Sequence, residues 1–150
     1  MKYFILILIV LMQSGCAMFL PTGYIEKKEC GIVEELSSKA ECYGGFSDTM
    51  ISAGKYMVTF EGNEFTTLQR ATDLAILHCT EVALASNNQY IFIEIAERRL
   101  ITSISSSKDQ MSTTDNPIVS VYCNISNENL SEYIKASNLR KQLQKKYGFE

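Results

Sequence analysis

The run TTLQRATDLAILHCTEVALAS, from Thr66 to Ser86, reads as a helix that is apolar on two sides, and this constrains the fold more than any other stretch. Thr66 and Gln69 have the spacing of a capping box, and Asn87-Asn88 supply the stop. At 100° per residue Leu68, Ala71, Ala75, Cys79 and Val82 form one stripe, whose small middle residues allow a close seat on a sheet. Leu77 and Leu84 point nearly the opposite way. Such a helix must be covered twice, and the C-terminal helix is the expected second cover.

The flanking segments supply the sheet. Phe46 to Ser52 and Tyr56 to Phe60 are predicted strands around Ala53-Gly54-Lys55, a short hairpin connection. Tyr90 to Ala96 alternates, with Ile91, Ile93 and Ile95 on one face and Tyr90, Phe92 and Glu94 on the other. Ile118 to Ile125 repeats the pattern through Val119, Val121, Cys123 and Ile125. Residues 103–116, SISSSKDQMSTTDN, carry no apolar period and are predicted to be a mobile loop. A last helix is predicted from Ser131 to about Lys146, with Ala136, Leu139, Leu143 and Tyr147 along one side. The order ββαββα predicts an α+β fold, an antiparallel sheet of about four strands with helices on one face, forming a single domain over residues 46–150.

Residues 1–15 have the form of a secretory signal: Lys2, then the apolar run Tyr3 to Met12, then Gln13, Ser14 and Gly15 before Cys16. Ten residues of helix rise about 15 Å, roughly half of a bilayer's hydrocarbon thickness, so the run suits cleavage better than a permanent span. Gly15-Cys16 resembles the lipobox of bacterial lipoproteins, in which the cysteine is acylated and becomes the N-terminus. Gln13 stands where an aliphatic residue is usual. Ordinary secretion with cleavage just after this point and an uncleaved anchor over Tyr3 to Leu20 are the competing readings. At about 0.8 kcal/mol per buried methylene, two or more acyl chains hold a protein stably, so a lipidated Cys16 needs no second membrane signal. Ala17, and not Asp, follows Cys16, which favours the outer membrane, facing the periplasm. Residues 16–45 then form the lipidated N-terminus and tether.

Loss of Lys2 with the signal takes 14 basic residues to 13, against 17 acidic, a balance that advertises no nucleic-acid partner. Four cysteines remain beyond Cys16 and allow three full pairings. Cys30 and Cys42 lie in the polar N-terminal segment, and their bridge is the leading candidate after export to an oxidising compartment. Cys79 and Cys123 fall on predicted apolar faces, where a free thiol behaves as a small hydrophobe. The sequence has no CxxC and no Cys/His cluster, so no metal or cofactor is expected.

GGFSDTMISAGKYMVTFEGNEFT and the following HCTEVALASNNQYIFIEI, together covering about residues 44–95, resemble a family of small uncharacterised proteobacterial lipoproteins. Its members read GGYSD, a turn, a strand ending in FxGN, a helix carrying RAAEL and a strand with YFxI. His78 and Cys79 stand where the family has Arg and Ala, while Glu81 fits. The resemblance implies a lipid anchor and assigns no catalytic residue.

The candidate chemistries are few. His78 is the single histidine and lacks a ligand-spaced partner, so a structural role is expected. The serine of Gly45-Phe46-Ser47-Asp48 is not in a GxSxG nucleophile turn. Glu61, Glu64, Glu94 and Glu97 are the carboxylates from which a polysaccharide-cutting pair would be drawn, with solvated surface as the plainer reading. Tyr90 and Phe92 offer an aromatic face for a partner or for another part of the chain. The glycines before and in Phe60-Glu61-Gly62-Asn63 read as turn formers, not a phosphate cradle. Lys135, Arg140, Lys141, Lys145 and Lys146 suit the negative end of the last helix or anionic headgroups near the anchor. The sequence therefore favours a non-enzymatic, lipid-anchored binding or accessory module with an envelope protein partner; an envelope hydrolase is the alternative.

Overall fold

The computed structural model describes residues 44–107 and 110–149, and for 103–107 and 110–112 the backbone alone. The proposed signal, Cys16, Cys30 and Cys42 lie outside the described residues. The elements are β1 (Gly45–Ser52), β2 (Lys55–Glu61), α1 (Leu68–Ala85), β3 (Tyr90–Ser107), β4 (Gln110–Ser126), β5 (Ile134–Lys135) and α2 (Ala136–Tyr147). They form an α+β fold with a five-stranded antiparallel sheet in the order β1-β2-β4-β3-β5.

Alternation decides which face is buried. Val58 and Phe60 of β2 pair with Val121 and Val119 of β4, and all four are fully buried beneath α1. On β3 only Ile91 is fully buried; Ile93 is half-buried, and Ile95, beyond the reach of the helices, is 52% exposed. From α1 the expected Ala71, Ala75 and Cys79 are fully buried, joined by Leu74, which the two-stripe reading had left out. Full burial of a side chain the size of Phe60 or Leu74 contributes about 1.5–3 kcal/mol. The buried hydroxyls of Thr72 and Thr80 donate to the carbonyls of Leu68 and Leu77, so these polar residues enter the core satisfied.

The opposite side of α1 is covered as the two-sided pattern requires. Leu77 is 1% exposed and belongs to the same apolar cluster as Leu143, with Leu139 and Tyr147 at its margin. Leu84 packs against a second cluster of Ala83, Ile91 and Ala136.

Four local expectations are corrected. The cap of α1 is Thr67, whose hydroxyl accepts from the Arg70 N–H at 3.1 Å; Thr66 is instead buried, donating to Asn63 Oδ1 at 2.8 Å in the preceding turn. Gln69 does not reach back to a cap but donates forward to Asp73. The last helix starts at Ala136, not Ser131, because Ile134 and Lys135 are drawn out to pair with Ile91 and Tyr90, adding the short fifth strand. The supposed loop is no loop: β3 and β4 continue as a paired ribbon from Leu100↔Pro117 to Ser107↔Gln110. Residues 103–116 are dense in Ser, Thr, Asp and Asn and carry no apolar period, so no alternation betrays these strands in the sequence.

Two glycines are required by geometry. Gly54 takes φ +74° in the β1–β2 turn, as the hairpin expectation needed. At Gly62 a Cβ would come within 2.6 Å of Thr66 Cβ and 2.8 Å of Pro117 Cγ, where the chain leaves β2 against the ribbon's base.

Candidate functional site

Two polar clusters and one sheet face are the places where chemistry is concentrated. The first cluster is built on α1 at His78, which the helix turns toward β1. Its Nε2 lies 2.8 Å from Asp48 Oδ1, its Nδ1 lies 3.7 Å from Glu81 Oε2, and Phe46 stacks on its ring at a centroid distance of 3.9 Å. Glu81 is also 3.7 Å from the Arg140 guanidinium of α2. Burial alone would pull the imidazole down, but the Glu81 and Asp48 carboxylates outweigh it and hold the group above its ordinary value. Both ring nitrogens therefore face negative charge. The cluster joins β1, α1 and α2.

The second cluster centres on Asp73, 7% exposed, one turn and a half earlier on α1. Gln69 Nε2 donates to its Oδ1 at 2.9 Å, and Tyr147 Oη and Lys146 Nζ donate to its Oδ2. Arg70 lies over the Tyr147 ring, 4.8 Å from its centroid. Burial pushes the Asp73 carboxyl up, yet the hydrogen bonds from Lys146, Tyr147 and Gln69 prevail and hold it below the usual carboxylate range. Asp73 in turn holds Lys146 above the ordinary ammonium value. Burial, and then the Asp73 charge, push the Tyr147 phenol up.

The sheet's outer face carries Lys55 over the Tyr122 ring at 4.7 Å, a Thr59–Ser120 hydroxyl pair at 2.9 Å, and Phe92 stacked with Tyr133 at 5.8 Å. Tyr133, in the turn before β5, thus covers part of the Tyr90–Phe92 face.

The four glutamates singled out above are not brought together. Glu61 ends β2, Glu64 is exposed in the turn before α1, and Glu94 and Glu97 are exposed on β3, where Glu97 pairs with Arg99 at 3.2 Å. Of the basic residues, Lys145 and Lys146 occupy the last turn of α2, where the helix dipole favours cations, and Lys146 and Arg140 are tied to α1.

The Cys79 and Cys123 expectation is corrected: they are joined as a disulfide, with Cα atoms 5.8 Å apart. The helix stripe and the central strand both faced the core as read, and their union brings the two thiols together. Asp48, Asp73, Glu81 and Tyr147 were missed as partners. The available signal was helical spacing, Gln69 with Asp73 and His78 with Glu81, in an otherwise apolar helix.

Among the described residues no group of three or more His, Cys, Asp and Glu is arranged to hold a metal ion, and no helix is long and apolar enough to cross a membrane. No protein-family model, curated protein or solved structure matches the chain significantly.

Proposed function

We propose that the chain is a lipid-anchored protein of the bacterial envelope, held through Cys16 at the periplasmic side of the outer membrane, and that it acts by binding an envelope partner. The observation that carries the compartment is the Cys79–Cys123 bridge. A core disulfide persists where the surroundings are oxidising and is rare in a reducing cytosol, so it agrees with export by the Lys2 to Gly15 signal. Gly15-Cys16-Ala17 and the resemblance to small proteobacterial lipoproteins support the anchor.

Binding is preferred to catalysis because the shifted groups are spent in joining elements. His78 is flanked by Asp48 and Glu81, whose carboxylates raise it, and both of its ring nitrogens are engaged in joining α1 to β1 and to Glu81. A glycosidase needs a carboxylic acid moved upward, and Asp73 is moved downward.

Mass spectrometry of the mature N-terminus tests the anchor: an acylated Cys16 is expected, and an unmodified terminus at Ala17 or Met18, or a retained Met1, overturns it. Cys16→Ala should block processing or release the protein from the membrane. Cell-wall polysaccharide cleavage by the purified protein, abolished by Glu94→Gln or Glu97→Gln, would replace the binding reading with the hydrolase.

A further inference from the structure

β3 is hydrogen-bonded to β4 along one side, whereas on the other it meets β5 at Tyr90 and Ile91 alone. From Phe92 to Ser107 that second edge has no strand partner among the described residues. Long open edges are sites of strand addition. This edge carries exposed apolar residues, with Ile95 and Leu100 each 52% and Ile101 38% exposed.

The edge also complements itself. The pairing with β4 shifts between Ile95 and Glu97, so Ala96 is an extra residue and the alternation slips by one. Phe92 and Glu94 lie opposite Asn124 and Tyr122, and Arg99 and Ile101 opposite Ile118 and Asn116, all on the sheet's outer face. Two copies of β3 run antiparallel about a two-fold axis at the bulge would set Glu94 against Arg99 of the second copy, twice. The same register sets Phe92 against Ile101 on the outer face and Ile93 against Leu100 on the inner face. Directly opposed residues in an antiparallel pair must share a face. Without the bulge, each of these pairs would point to opposite sides.

We propose that this chain forms a symmetric homodimer through the β3 edge, joining two sheets about an axis between Ala96 and Glu97. The complementarity identifies the occupant as a second copy: Glu94 and Arg99 meet twice, Phe92 and Ile93 meet Ile101 and Leu100, Ile95 lies along the aliphatic stem of Arg98, and one interface residue set serves both sides. The proposal stands apart from the lipid anchor and needs no lipid to be tested.

The experiment is sedimentation of the full chain in detergent, with Glu94→Arg, Arg99→Glu and the double exchange compared. A dimer is expected for the native chain, with dissociation rising by about tenfold or more in either single variant, where like charges face each other twice, and recovering in the double exchange. These positions are exposed, and circular dichroism checks that each variant folds. A second measurement uses Glu94→Cys with Arg99→Cys, which should give a covalent dimer on oxidation that neither single change gives. A native chain that sediments as a monomer up to its solubility limit overturns the proposal. So does a dimer indifferent to the single reversals, or one that the double exchange fails to restore.

Discussion

His78 Nε2 lies 2.8 Å from Asp48 Oδ1, and this contact ties the middle of α1 to the outer strand β1. Because the sequence contains one histidine, its titration is isolated from other imidazoles. The folded group is held above 6.5. Its contribution to stability is therefore complete below the unfolded value, near 6.5, and is lost as pH rises through the higher folded value. Denaturant midpoints should fall as pH rises from below 6.5 through the higher folded value, and Asp48→Asn should flatten the fall. Nuclear magnetic resonance of the imidazole C–H signals gives the folded value directly.

Asp73 behaves with the opposite sign. Its carboxyl is held below 3.8, so its contribution is present above that value and disappears as pH falls through the lower folded one. Asp73→Asn should cost about 1.5–3 kcal/mol at neutral pH, the range for lost hydrogen bonds to a charged group. Tyr147→Phe, which removes one donor, should cost about 0.5–1.5 kcal/mol. Urea unfolding reads both.

The bridge of Cys79 to Cys123 spans 44 residues. On the chain-entropy account, closing a loop of that size stabilises by about 4 kcal/mol. Replacing both cysteines by Ala should lower the unfolding midpoint accordingly, and peptide mapping without reductant should recover the 79–123 linkage. Free thiols at both positions in protein isolated without reductant would contradict it.

Leu77 and Ala75 test the two sides of α1 separately. With Leu77 1% exposed, Leu77→Ala should cost about 2–5 kcal/mol. Ala75 is fully buried toward the sheet, and Ala75→Leu should overpack that contact at about 1–3 kcal/mol. Equal midpoints for the native chain and both variants would mean that α1 is not covered on two sides.

The sheet core and the two-sided helix were legible because burial leaves a period: Val58 and Phe60, Val119 to Cys123, and Ala71 to Cys79 all lie where alternation or helical spacing put them. The ribbon beyond Leu100 was not legible, since SISSSKDQMSTTDN carries no apolar period and Ser and Thr serve both loops and strands. The start of α1 slipped by one residue because adjacent threonines compete for the cap, and Asn63 captures the first. The disulfide needed the packing of helix on strand, a relation that neither segment carries alone. His78 was placed correctly at the edge of a packed face, but Asp48 lies 30 residues away and nothing local points to it.

Cys79 and Cys123 bracket the end of α1, all of β3, the ribbon and most of β4. A protease that severs the backbone once anywhere between Thr80 and Tyr122 therefore leaves two fragments that remain one molecule. The fragments stay covalently joined while the sulfur link stands, and only a reductant lets them part. A single nick in the ribbon thus does not by itself shed the C-terminal helix.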